Sequence, residues 1–456
     1  MSADSSPPPP SPSRTSASTS EQTLSNLLRW LEEGGARFAQ LRVVRQEDGE
    51  RAVLARADIA AGDVVLQVPR SHMLTLELAR DSEIGRQLQA ALNPDNEDLY
   101  LASFLLQERH RPDSFWKPFI DSLPEAFPHL PLFYPQAECA LLKGSLELML
   151  LEFQAQSLRH DYAQLCEKLP GYSRFSLEEF AWARLSVSSR LFGVKKGGLL
   201  GACLVPLADM LNHRRPPDVL WETSADGRFF EMTAQNAVAA GSEVHDSYGA
   251  KSNDLLLLHF GFVTEHNEQD EVFLSLGLRE GDPLAAMKQS LLALPSATSP
   301  RPFKVPRKLD TSATQLMFSF LRIACATPEE IMMLASRLMS GAKTIDPLGV
   351  PNEARALEAL GAACEARLAG FDTSLEEDER LLREEPLSPN ARNCVRLRRE
   401  EKRLLHDYLT LSRTGRELLG LPREEFARLA EQPGSSWGWF DGYARQSLLE
   451  LARRAP

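Results

Sequence analysis

Hydrophobic positions along the chain switch between a helical and an extended period, and the switches mark its organisation. Leu24, Leu27, Leu28 and Leu31 recur at helical spacing before Gly34-Gly35, which predicts a helix stopped by the glycine pair. Residues 51–68 read as two short strands around a turn at Gly62-Asp63, with "DVVLQV" the clearer and Pro69 ending it. From about 72 to 185 the pattern is mainly helical: "DLYLASFLLQERH" predicts an amphipathic helix and 141–169 a longer one. The Pro-rich "SLPEAFPHLPLFYP" joins them as an irregular segment. Short strands return between 199 and 262, most clearly "GRFFEM" after a turn at Asp226-Gly227. "SNDLLLLHFG" then predicts a Ser/Asn-capped helix closed by Gly261. The four prolines of "PSATSPRPFKVPRK" (295–308) suggest a linker or exposed loop. Beyond it, 310–456 is helical in pattern, with runs such as "EARALEALGAACEARLAG". The expectation is an α+β chain: β-rich elements interrupted by a helical insert, then a helical domain.

Composition narrows the function classes. A chain of 456 residues, 43% hydrophobic and 25% charged, is that of a globular protein of two or three domains. No apolar run reaches membrane-spanning length. A formal net charge of −12 has the wrong sign for a sequence-independent grip on nucleic acid. The six cysteines (139, 166, 203, 325, 364 and 394) form no C-x-x-C pair, which argues against a zinc cluster or a disulfide scaffold. An intracellular location is expected, cytoplasmic first, with nucleus or plastid as alternatives, for a monomer with no membrane or nucleic-acid partner. Residues 1–22, rich in Ser and Pro, are expected to be a disordered tail, with a transit peptide as the sharper alternative.

The candidate chemistry begins with "LVPLADMLNH" (204–213), where Asp209, Asn212 and His213 interrupt an apolar run. Asp209 and His213 stand at i and i+4, so on a helix they would share a face and could bind metal, with His245 or Asp246 as a third ligand. No metal-binding motif accompanies them, and a turn that satisfies its own polar groups is the better explanation of the pattern. A Ser/His/Asp hydrolase would need an elbow motif that the chain lacks, and "VKKGGLLGA" lacks the spacing of a phosphate loop. "EVHDSYGAKSND" (243–254) carries Tyr248 on a short β-like run to a turn at Gly249, a place where functional side chains are often exposed.

Together, "ADMLNH" (208–213) and "VHDSYG" (244–249) resemble the two signature segments of SET-domain protein methyltransferases. The branch they resemble holds the Rubisco large-subunit lysine methyltransferase and the actin histidine methyltransferase. "ADIAAGDVVLQVP" (57–69), "SFWKPFIDSLP" (114–124) and "SSRLF" (188–192) are similar to further segments of that branch. "GFDTSLEEDERLL" (370–382) and "RLRREEKRLL" (396–405) resemble its C-terminal substrate-binding helices, so the likeness spans roughly 24–420. The resemblance implies small twisted sheets around a knot-like crossing (23–270) with a helical insert at about 75–185. A connecting segment (271–308) and an all-α substrate-binding domain (309–456) would follow.

It also implies S-adenosylmethionine as methyl donor and a non-histone protein as substrate. Tyr248 would be the catalytic residue and would touch both cofactor and substrate. Asn212 and His213 would bind the cofactor, and Arg190 would meet its carboxylate at the edge of the acceptor channel. Phe192, Asp209 and Trp221 would line the substrate site. The family's Glu-Gly-x-Gly cofactor segment is altered here to "EDGERAVLA", which leaves Gly49, Glu50 and Arg51 in its place. Phe260 stands where the Rubisco enzyme has a tyrosine, keeping an aromatic ring toward the cofactor without its hydroxyl.

Methyl transfer needs an acceptor nitrogen with a free lone pair. A lysine with a pKa of about 10.4 is neutral only about one part in 2,500 at pH 7, a penalty of about 4.6 kcal/mol. A narrow, partly desolvated channel beside a sulfonium lowers that penalty, so no dedicated base is required. The actin-type enzyme has Asn where this chain has Phe192, and the lysine enzymes have Phe. The expectation is therefore a protein-lysine N-methyltransferase. A protein-histidine enzyme is the first alternative, because "VPRSHMLTLELARDSEIG" (68–85) is as close to the histidine type. A SET-derived binding module without activity is the second, prompted by the altered glycine segment.

Overall fold

A computed structural model describes residues 14–46, 51–193, 202–296, 298–339, 344–432 and 436–454. The chain divides into two units, one of residues 1–127 and 153–250, the other of 128–152 and 251–456.

The first unit is built on three small antiparallel sheets. β1 (Leu41–Arg45) pairs with β2 (Arg51–Ala55). β3 (Val64–Pro69), β8 (Phe229–Ala234) and β7 (Val219–Thr223) form a second sheet in that order. β4 (Leu74–Thr75), β6 (Cys203–Leu204) and β5 (Leu191–Phe192) form a third. β8 alternates as a half-buried strand should, with Phe230, Met232 and Ala234 inside. Its hairpin with β7 turns at Asp226-Gly227, where Gly227 supplies a φ of 70°. The two strands expected within 51–68 are present as β2 and β3, but they do not pair with each other.

Between β4 and β5 the chain is largely helical. Residues Asp98–Arg109 are helical but not amphipathic, since Leu99 to Leu106 are all buried. Even Glu108 is inside, held by Arg111 and Ser114. The helix Leu177–Ser188 starts with a capping box of Ser176 and Glu179. The expected longer helix runs Glu147–Lys168. The first helix begins at Arg14, inside the stretch expected to be a disordered tail, and residues 1–13 lie outside the described residues. Extending a helix already anchored by buried Leu27 and Leu31 adds one hydrogen bond per residue, which offsets the weak propensity of Ser and Thr.

In the second unit, 271–308 is more than a connection. β9 (Glu271–Leu276) and β10 (Arg301–Pro306) pair across it, with Phe303 opposite Leu274. The prolines point to a loop, yet Phe303 and Val305 alternate inward and are buried, and proline is tolerated at strand edges. The rest is helical, dominated by Val350–Leu368 and Pro389–Gly420. Arg322 makes a bidentate pair with Glu353 at 2.7 Å and donates to the Ile345 carbonyl. Asp378 accepts from both Arg398 and Lys402. The helix Asn253–Phe260 ends at Gly261 in the left-handed region, as expected. Ser252 is its N-cap by backbone, but the polar ties come from Asn253, which bonds Asp270 and Thr264. Among the described residues no helix is long and apolar enough to cross a membrane.

Candidate active site

In the first unit the chain passes from β6 into a 3-10 turn, Ala208–Met210, rather than an α-helix. Leu207 begins that turn with a φ of 72°, a costly conformation for a branched side chain and one that tends to mark functional sites. The shared helical face needed for Asp209 and His213 to chelate a metal is therefore not formed. Residues 211–214 instead lie parallel to 245–248. Asp246 donates its amide to the Asn212 carbonyl, and Arg214 donates to the Asp246 carbonyl, both at 2.9 Å.

This crossing gathers the candidate side chains. The Tyr248 amide donates to His213 Nδ1 at 3.0 Å, so His213 carries its proton on Nε2, and the two rings lie 5.2 Å apart. The Tyr248 hydroxyl donates to the Leu211 carbonyl at 3.0 Å, and burial holds its pKa well above the usual phenol value. A phenol with its proton committed in this way can accept and orient but cannot serve as a base near neutrality.

Arg190, at the end of the helix Leu177–Ser188, donates to the Asp209 backbone carbonyl at 3.0 Å and to its carboxylate at 3.2 Å. The Asp209 side chain is 1% exposed. Burial raises its pKa, while Arg190 and Arg51 pull it back. Asn212 Nδ2 donates to the Arg51 carbonyl at 2.9 Å and to Glu243 at 2.8 Å. Arg51 in turn donates to the Ser122 carbonyl.

A separate aromatic group comes from two sheets. Phe192 meets Trp221 and Phe230 edge-on, with centroids 5.7 and 5.1 Å away, and Trp221 stacks on Phe230 at 5.5 Å. Phe192 therefore packs against the aromatic side chains of the neighbouring sheet. Phe260 belongs to the second unit, where its ring is 6.3 Å from those of His259 and Phe262. Gly49 and Glu50 lie outside the described residues.

Residues 279–405 match the family model described as Rubisco LSMT substrate-binding. The actin-histidine N-methyltransferase of Homo sapiens is 28% identical over 457 residues, which span 95% of this chain and 76% of that protein. Its counterpart in Mus musculus is 29% identical over the same shares. The solved SET domain of LSMT bound to lysine and AdoHcy superposes with a TM-score of 0.72 at 24% identity, covering 90% of this chain and 96% of that one. Rubisco LSMT bound to AdoMet gives 0.71 at 24%, covering 93% and 99%.

The chain thus carries a match to the Rubisco LSMT substrate-binding family over residues 279–405 and has the fold of the solved LSMT SET-domain structures.

In SET terms, Arg190, Asp209, Asn212, His213, Tyr248 and Arg51 cluster at the crossing, and Phe192 with Trp221 makes an aromatic patch on the neighbouring sheets. Sequence reasoning passed over Glu243, and it offered Asp246 only as a possible metal ligand rather than as part of this crossing. Asp246 is 3% exposed, and burial lifts its pKa to about 6. Its signal was its place in the parallel bridge, which requires knowing the partner segment.

Proposed function

We propose that this protein is an S-adenosylmethionine-dependent protein N-methyltransferase whose acceptor is a histidine side chain of actin or an actin-like protein. The observation that carries the acceptor is the likeness to actin-histidine N-methyltransferases along 95% of the chain, SET core and helical domain alike. The residues at the crossing fit the cofactor. Asn212 Oδ1 has no hydrogen-bond partner among the described residues, and Arg190 Nε is buried without an acceptor. A ligand with an amine and a carboxylate would satisfy both. Gly249, at a φ of 97°, leaves open space beside Tyr248.

When bound, the cofactor supplies an electrophilic methyl group on a sulfonium. The protein's own contribution is alignment and exclusion of water. Asn212 and the His213 backbone hold the donor, while Arg190 with Asp209 and Tyr248 border the acceptor. Tyr248 offers its oxygen as a hydrogen-bond acceptor while keeping its own proton, which it donates to the Leu211 carbonyl. An imidazole with a pKa of about 6.5 is about three-quarters neutral at pH 7, so a histidine acceptor avoids nearly all of the penalty of about 4.6 kcal/mol that lysine meets. The second ring proton can leave to water, and Tyr248 need never be a base.

One observation favours lysine as a second reading: Phe192 stands where the histidine type has Asn. Incubating the protein with isotopically labelled S-adenosylmethionine and purified actin, then mapping the label by mass spectrometry, separates the readings. Label on histidine supports the proposal, and label confined to lysine replaces it with the second reading. No transfer together with no calorimetric uptake of cofactor leaves the inactive binding module.

A further inference from the structure

The Asn212 carboxamide has two N–H donors, and both are used within the protein, on the Arg51 carbonyl and on Glu243 Oε1. This fixes which way round the amide sits and leaves Oδ1 as the atom offered to a ligand. Neither acceptor is free to drift. Arg51 lies on β2, and Glu243 forms a bridge to Leu54 of the same strand, with the Val244 amide donating to Val53 at 2.8 Å.

Glu243 is itself braced from behind. Its second oxygen lies 3.5 Å from His245 Nε2. His245 Nδ1 is 3.0 Å from Asp218 Oδ2, an oxygen that also accepts the His245 amide at 2.9 Å. The other Asp218 oxygen pairs with Arg214. The chain of contacts thus leaves the 212–214 segment at Arg214 and returns to it at Asn212 through 243–245. Side-chain exposures of 7% for Asp218, 18% for His245 and 23% for Glu243 keep most of it away from solvent screening.

We propose that Glu243, braced by His245 and Asp218, is a positioning residue that sets the polarity of Asn212 toward the cofactor. With Glu243 in place, the amide meets the ligand with an acceptor. Without it, a 180° flip becomes accessible and sets a donor against the ligand's own N–H. The proposal rests on the cofactor reading above, and the test keeps the two apart.

The test is calorimetric titration of the full chain with S-adenosylhomocysteine, alongside kcat and KM for an acceptor protein. No uptake by wild type would overturn the cofactor reading itself. Given uptake by wild type, Glu243→Ala should weaken cofactor binding at least tenfold, with acceptor KM within twofold. Glu243→Gln, whose amide oxygen still accepts from Asn212, should recover to within threefold of wild type. His245→Ala should lose two- to fivefold and carries the test if Glu243→Ala does not fold. A sharper readout uses two analogues, one without the α-amino group and one without the adenine amino group. The Glu243→Ala penalty should vanish for whichever lacks the donor that Asn212 meets. Unchanged cofactor affinity in Glu243→Ala, or an equal penalty for both analogues and the parent, would overturn the proposal.

Discussion

Replacing Asp246 by asparagine should make the protein more stable near neutral pH, and the gain should grow as pH rises. Asp246 is buried at the crossing, makes no ion pair among the described residues, and has its pKa lifted from 3.8 to about 6. The folded state therefore holds this proton more tightly than the unfolded chain does. The stability it contributes is complete below the unfolded value and lost as pH rises through about 6. A shift of about 2 units corresponds to about 3 kcal/mol between the fully protonated and fully ionised limits. A neutral carboxamide carries no such burden, so Asp246→Asn should exceed wild type by about 0.5 kcal/mol at pH 4 and about 3 kcal/mol at pH 8. Urea unfolding followed by tryptophan fluorescence at a series of pH values measures the difference directly. A gap that does not change with pH, or a variant weaker than wild type at pH 8, would refute the reasoning.

Three further outcomes are expected. On the proposed function, Tyr248→Phe should lower kcat by about 10²-fold or more while leaving cofactor affinity within about threefold, because it would remove the hydroxyl proposed to orient the acceptor; full turnover in this variant would remove Tyr248 from that role. Gly261→Ala should cost about 2–4 kcal/mol, because a Cβ there would lie 2.4 Å from the His129 carbonyl oxygen at a φ of +77°. A loss of stability below about 0.5 kcal/mol would contradict that clash. Glu353→Ala leaves Arg322 charged and buried without its bidentate partner and should cost about 3–5 kcal/mol, whereas replacing both residues with apolar side chains should restore much of the loss; equal stability of the single and double variants would argue against the pair.

Local periodicity carried far in this chain. The leucine spacing before Gly34, the turn at Gly227 and the stop at Gly261 all declare themselves through residues a few positions apart. Pairings between distant segments do not. β2 and β3 are neighbours in sequence, yet one pairs with β1 and the other with β8. Asp98–Arg109 kept enough polar residues to look amphipathic, and only the packing around it shows that both faces are covered. The prolines of 300–306 obscured a strand whose two inward residues, Phe303 and Val305, were the true signal. At the candidate site, Tyr248 and the Asn212-His213 pair were legible as motifs. The 3-10 turn that displaced the shared face of Asp209 and His213 was not, because i,i+4 spacing carries meaning only once a helix is formed. Glu243 stayed silent, and Asp246 was legible only as a possible metal ligand, for a similar reason: their partners Asn212 and His213 lie some thirty residues upstream.

The pairing of β3 with β8 also governs how the chain is born. About 160 residues separate Pro69 from its partner Phe229. At a synthesis rate of about 5–20 residues per second, β3 emerges from the ribosome roughly 8–32 seconds before the strand that covers its edge. During that interval "VVLQVP" is an apolar strand with an open hydrogen-bonding edge, the kind of segment that pairs with whatever arrives first. Nascent chains halted between the two strands should therefore be held by chaperones, and release should coincide with the appearance of β8.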